Sequence, residues 1–220
     1  MGAGRLIVLE GAEGAGKTTQ LRRLEAHLRD AGRSVIALRE PGGTPLGGEI
    51  RRLLLDSEEE ITPGTEALLF MASRAQLVER EIRPALASGR IVLLDRFFLS
   101  TYAYQIAGRA LPEREIRAAN ALATRGLVPD LTLVLDVDPR QGLSRAGSRG
   151  AHDRIERSGG EFHDRVADAF RTYLTAAWQA GHPECGPIVR VDAGGGADET
   201  EVFRRVLEPL VQRWPETFPV

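Results

Sequence analysis

The chain has 220 residues, of which 42% are hydrophobic and 27% charged, and its net charge at pH 7 is −2. That length can bury a core and is expected to form one domain over residues 1–220, and the charge gives no electrostatic case for a nucleic-acid polymer or a membrane surface. Cys185, the one cysteine, excludes an intrachain disulfide and a cysteine zinc site, no apolar run approaches the ~20 residues of a membrane span, and nothing at the N-terminus resembles a signal peptide, so a reducing cytoplasm is expected.

Residues 5–10 (RLIVLE) predict a short apolar strand, and 17–31 a helix with Leu21, Leu24 and Leu28 on one face. Between them, residues 11–18 fit G-x-x-x-x-G-K-[ST], the phosphate-binding P-loop. Strand, glycine-rich turn and helix N-terminus together aim N–H groups and the helix dipole at an anion. Lys17 is the only lysine among the 29 basic residues. A compact ammonium suits a nest of backbone N–H groups where the planar guanidinium is too bulky, so Lys17 is expected to resist the replacement by arginine that the rest of the chain displays. Genome composition and heat adaptation both explain the arginine excess elsewhere.

Further apolar runs at 35–39, 91–95, 131–136 and 188–191 predict four more strands. Their near-continuous apolar character and the helical patterns between them imply parallel βαβ crossovers covered on both faces. Residues 65–87 predict one long helix, with Leu68, Leu69, Met71, Ala72, Ala75, Val78, Ile82 and Leu86 at helical spacing and Gly89 as its stop. Residues 161–180 predict another, with Phe162, Val166, Phe170, Leu174 and Trp178 at i, i+4 spacing, and 198–214 the last. Residues 40–48, 147–160 and 192–196 are rich in glycine, proline or charge and are expected as loops; the third lies where it could touch a nucleotide base, although a plain turn fits as well.

Asp95 ends the run IVLLD, the Walker-B pattern, where a carboxylate beside the P-loop can hold Mg²⁺ directly or through water. Arg96 follows it and points to a second anion, an acceptor phosphate gripped bidentately. With Lys17 the only lysine, no N-K-x-D base-reading motif exists, which removes the switch-GTPase reading.

The segments GAEGAGKTT at 11–19, REPGGT at 39–44, FMASR at 70–74, DRFFLSTYAYQ at 95–105 and DRIE at 153–156 resemble the thymidylate kinase family, in its bacterial form, over residues 5–160. The P-loop lacks a basic residue at Gly14 or Ala15 and the lid is arginine-rich, as in that form. The resemblance implies a three-layer α/β P-loop fold, with a five-stranded parallel sheet flanked by helices and an arginine-rich lid at about 142–160. It implies transfer of phosphate from ATP to dTMP with Mg²⁺, and a homodimer packed through helices, the 65–87 helix being a plausible contact. Gly11, Ala12, Glu13, Gly14, Ala15, Gly16, Lys17, Thr18 and Thr19, with Arg145, would hold ATP, and Thr18, Asp95 and Glu156 would surround the metal. Phe70 would stack on thymine and Arg74 would bond its exocyclic oxygen, while Ser100 and Thr101 line the base pocket and Gln105 completes that helix edge on the substrate side. Arg96 would hold the acceptor phosphate near Arg39 and Glu40, and Glu13 would face the 3′-hydroxyl. Tyr104 would fill the space of a 2′-hydroxyl by ring bulk, and the lid arginines Arg145, Arg149 and Arg154 would close over the transferring phosphoryl. Lys17, Arg96, Glu13, Arg149 and Arg154 are thus the expected catalytic set. Phe97 and Tyr102 depart from the family pattern and are expected to alter the edges of the base pocket. Two other readings stay open at this point: another nucleoside monophosphate or deoxynucleoside kinase on the same core, and a P-loop module that senses ATP without phosphorylating a small molecule.

Overall fold

A computed structural model describes residues 4–147 and 153–219. Five strands, β1 (Arg5–Glu10), β2 (Val35–Arg39), β3 (Ile91–Asp95), β4 (Leu131–Asp136) and β5 (Ile188–Asp192), form one parallel sheet in the order β2-β3-β1-β4-β5. The strand expectations thus hold to within a residue. Alternate side chains serve two cores. Leu6, Val8, Val92, Leu94 and Val134 point to one face, and Ile7, Leu9, Ile91, Leu93, Leu133 and Leu135 to the other. This is why the strands read as continuous apolar runs rather than as alternating ones.

Helices α1 (Lys17–Asp30) and α10 (Glu199–Arg213) cover the second face, with Leu21, Leu24, Leu28, Val202, Val206 and Leu210 buried. The Asp198 carboxylate caps α10 by accepting from the N–H groups of Thr200 and Glu201. The other face carries α2 (Pro45–Asp56), α3 (Pro63–Leu77), α4 (Arg83–Ala87), α5 (Phe98–Thr101), α6 (Glu113–Thr124) and α8 (Gly160–Tyr173). The remaining helices are α7 (Pro139–Gly147) and α9 (Ala176–Gly181).

Three expectations are corrected. The 65–87 helix is instead α3 and α4 joined by a wide π turn, Val78–Ile82, where the Arg83 N–H reaches back to the Val78 carbonyl. Pro84 lacks an N–H and its ring would strike a carbonyl one turn back, so a local widening accommodates it. The 161–180 helix is broken between α8 and α9, because the Thr175 side chain accepts from the Trp178 N–H and starts a new helix. The expected loop at 40–48 ends early: Thr44 accepts from the Gly47 N–H, and Pro45 occupies the first turn of α2.

The C-terminal ends of β1, β2, β3 and β4 open onto one edge of the sheet, where ligands of such folds bind. The P-loop sits there against α7. A Cβ on Gly14 would lie 1.8 Å from the Gly142 carbonyl oxygen, so the two backbones approach as only glycine allows.

Candidate active site

A cavity of about 660 Å³ lies at this edge, lined by the P-loop, the end of β2, the α2 and α3 helices, the segment after β3 and residues 153, 155 and 156. On its P-loop side Gly16, at φ 90°, precedes α1 and lets the chain turn into the helix. The buried Lys17 ammonium donates to the Gly11 and Ala12 carbonyls at 2.9 and 2.8 Å, so it is held across the loop it must serve. Burial and the neighbouring Arg96 lower the Lys17 ammonium to about 8, against the pull of Glu13 and Asp95. Thr18 donates its hydroxyl to Asp95 at 2.6 Å, bringing together a hydroxyl and a carboxylate from α1 and β3.

Arg96 stands at φ 72°, in the left-handed region where a non-glycine residue carries ~1–2 kcal/mol of strain. The Arg96 N–H bonds the Leu9 carbonyl, and its guanidinium donates to Glu13 at 2.7 Å, to Ser100 at 3.0 Å and to the Gly11 carbonyl at 3.3 Å. Arg96 and Lys17 therefore both touch the Gly11 oxygen, and the cations expected for two different phosphates converge on one backbone atom. Burial works to raise the Glu13 carboxyl, but the charges of Arg96 and Lys17 outweigh it and hold it at about 2. Glu13 is consequently ionised throughout the physiological range.

Tyr104 carries more than bulk. Its hydroxyl donates to the same Glu13 oxygen at 2.7 Å and its ring lies 5.1 Å from the Arg96 guanidinium carbon. The expectation that the ring alone does its work is therefore incomplete, because a phenylalanine would leave Glu13 one donor short.

Phe70, Arg74, Thr101 and Gln105 line the other end of the cavity. Arg74 is almost fully buried and all five of its N–H groups have protein partners. They meet Glu40 at 2.6–2.9 Å, the Phe97 carbonyl at 3.0 Å, Thr101 at 2.7 Å and Asn120 at 2.6 Å. Arg39 and Glu40 both line the cavity, Arg39 exposed and Glu40 with its carboxylate paired to Arg74. Burial raises the Glu40 carboxyl above its ordinary value, with Arg74 opposing.

The expectations for Phe97 and Tyr102 are also corrected, since neither lines the cavity. Phe97 is wholly buried under Arg74, and Tyr102 turns away to bond Glu184 and to meet Trp178 edge-on at 5.5 Å. Of the lid residues, Glu156 lines the cavity and accepts from the Asp153 N–H at 3.2 Å. Arg154 does not line it; it pairs with Glu66 at 2.6 Å and bonds the Leu54 carbonyl, which corrects its expected position over the phosphoryl group. Arg145, on α7, reaches the Ala193 carbonyl at 3.3 Å, and Arg149 lies outside the described residues.

Three participants escaped the sequence reading. Glu10, wholly buried, accepts from the N–H groups of Phe97 and Ser100 and from the Ser100 hydroxyl at 2.7–3.1 Å, which fixes the turn that carries Arg96. Arg51 lines the cavity from α2 and donates to the Pro41 carbonyl at 3.1 Å. Asn120 holds Arg74 from α6. Only Arg51 had a signal, its place one turn and a half into the helix that follows REPGGT.

Comparison with known proteins decides the family. The family model described as thymidylate kinase matches residues 9–179. The chain belongs to the thymidylate kinase family. A thymidylate kinase of Deinococcus radiodurans is 50% identical over 201 residues, covering 91% of this chain and 94% of that protein. One of Chlorobium luteolum is 42% identical over 220 residues, covering 96% and 99%. The crystal structure of thymidylate kinase from Ehrlichia chaffeensis superposes with a TM-score of 0.75 at 28% identity, covering 94% of this chain and 99% of that one. As a member of this family the chain is a phosphotransferase that uses a nucleoside triphosphate, and none of its helices is long and apolar enough to cross a membrane among the described residues.

Proposed function

We propose that the cavity holds ATP on the P-loop and dTMP between Phe70, Arg74 and Arg96, and that the γ-phosphoryl group passes in line to the dTMP phosphate, giving ADP and dTDP. The observation that carries this reading is the shared Gly11 carbonyl, within 2.9 Å of the Lys17 ammonium and 3.3 Å of the Arg96 guanidinium. Two phosphates bound to those cations lie side by side, and positioning is most of what phosphoryl transfer requires. The acceptor phosphate is anionic near neutral pH, so no side chain has to remove a proton from it. Glu13, ionised between Arg96 and Tyr104, keeps the guanidinium aimed and, on the family resemblance, would face the 3′-hydroxyl.

The oxygens of Thr18 and Asp95 suit a hard cation, and the described residues contain no group of three or more His, Cys, Asp or Glu that could hold one unaided. This fits Mg²⁺, which retains water and phosphate ligands and binds through one or two protein oxygens. When bound it supplies charge neutralisation at the donor phosphates. Glu156 is kept as an outer participant on its place in the cavity wall.

A coupled assay of ATP consumption against dTMP, ribo-TMP, dUMP, CMP, AMP, GMP and thymidine tests the reading. We expect kcat/KM for dTMP to exceed that for CMP by at least about 100-fold, since a site built around polar groups penalises a base that leaves them unpaired. Equal use of CMP or AMP would sink the dTMP assignment.

We also infer a homodimer through α2, α3 and α6. These helices pack side by side and carry exposed leucines: Leu46 and Leu53 on α2, Leu68 at 65% exposure on α3 and Leu122 at 80% on α6. Burying such a surface twice over matches a homodimer interface, which is more apolar than the rest of a protein surface. Sedimentation should find a dimer for the unaltered chain and a monomer for the Leu68→Glu, Leu122→Glu double variant. A monomeric parent refutes the inference.

A further inference from the structure

Glu66 lies in the first turn of α3 at 1% exposure, outside the cavity and outside every motif that pointed to the site. Its carboxylate nevertheless joins three segments. One oxygen accepts from the Gln105 amide and from Arg109 Nε, both at 3.1 Å; the other accepts from Arg109 at 3.1 Å and from Arg154 at 2.6 Å. Arg154 is fixed a second and third time, by its own N–H to the Leu55 carbonyl at 3.0 Å and by Nε to the Leu54 carbonyl at 2.8 Å. The residues on either side of it, Asp153 and Ile155, form cavity wall, and so does Gln105. A single buried acid thus ties one wall to another.

The direction of the Gln105 amide follows from chemistry rather than from atom assignment. An ionised carboxylate accepts and cannot donate, so the Gln105 amide must turn its NH₂ toward Glu66 and its carbonyl oxygen away. The two arginines hold Glu66 below its ordinary carboxylate value in spite of burial, which keeps it ionised. Gln105 is buried to 2% exposure, yet its carbonyl oxygen is not among the enclosed polar atoms that lack a partner. Since Gln105 lines the cavity, that oxygen is offered to whatever base occupies it. An acceptor there matches a pyrimidine that is protonated at N3, as thymine and uracil are, and opposes cytosine, whose N3 is itself an acceptor.

We propose that Glu66 is a positioning residue for base selection, fixing the Gln105 amide with its carbonyl toward the cavity and anchoring the Arg154 segment against the same site. The proposal rests on dTMP as the acceptor, which the unaltered enzyme tests by itself. Glu66→Gln, being isosteric, replaces one acceptor oxygen by an NH₂ group and removes the reason for the Gln105 orientation. We expect KM for dTMP to rise by about 10-fold and the preference for dTMP over dCMP in kcat/KM to fall by about 10-fold, the scale of one hydrogen bond to a charged group, with KM for ATP within about twofold. A scaffold role alone would lower the melting temperature or the active fraction and leave the dTMP-to-dCMP ratio unchanged, and that result overturns the proposal. If the glutamine variant fails to fold, Glu66→Asp keeps the charge for both arginines while withdrawing it from Gln105 by one methylene. It should show the same loss of selectivity in milder form, and an unchanged ratio there refutes the proposal as well.

Discussion

Lys17→Arg should lower kcat by at least about 100-fold, a loss of ~3 kcal/mol in transition-state stabilisation, with little change in melting temperature. Lys17 is 7% exposed and its ammonium sits between the Gly11 and Ala12 carbonyls, a site for a point charge on a thin stem. A guanidinium keeps the charge and adds a planar fork, which has to displace the loop or withdraw from the phosphates. Steady-state kinetics on both substrates, with a thermal melt as control for folding, measure it. A variant that retains more than about a tenth of the parental kcat shows that charge alone suffices and refutes the geometric argument.

Arg96→Met should reduce kcat/KM for dTMP by about 1,000-fold, most of it through dTMP, while KM for ATP changes by less than about threefold. Among the described residues Arg96 is the only guanidinium bonded to Glu13, Ser100 and the P-loop carbonyl at once, so its removal takes away the proposed acceptor-phosphate anchor and frees the Glu13 carboxylate. Hydrogen bonds to charged groups contribute ~1.5–3 kcal/mol each, and two of them account for the expected loss. Arg96→Lys should recover only a small part of it, because the ammonium lacks the bidentate fork. A methionine variant with parental KM for dTMP would place the acceptor phosphate elsewhere. Stability must be followed in parallel, because breaking a buried pair costs ~3–5 kcal/mol and the Arg96–Glu13 pair is partly shielded from water.

The sequence by itself determined the sheet, the P-loop and many, though not all, of the residues that line the cavity. Strands buried on both faces must be apolar throughout, and the P-loop is a local device whose glycines, lysine and threonine lie next to one another in the chain. For the same reason α1 and α10 were legible to within a residue, since each carries its own apolar stripe, and α10 its own cap as well. The helix breaks were less legible. Pro84 and Thr175 were visible in the chain, yet whether a proline bends, widens or ends a helix, and whether a threonine points back to cap one, depends on what surrounds it.

Only the tertiary structure decided which way the polar side chains face. Arg74 and Glu40, 34 residues apart, looked like two separate cavity residues and are also each other's buried partners; Arg154 looked like a lid finger and is an anchor on Glu66, 88 residues earlier. Glu10 looked like the end of a strand and Asn120 lay in no predicted element, yet they orient Arg96 and Arg74. A carboxylate that binds a substrate and one that holds another side chain have the same residue type and can occupy the same motif. What separates them is the set of donors within about 3 Å, and that set is brought together by long-range packing, which the local pattern of residues does not encode.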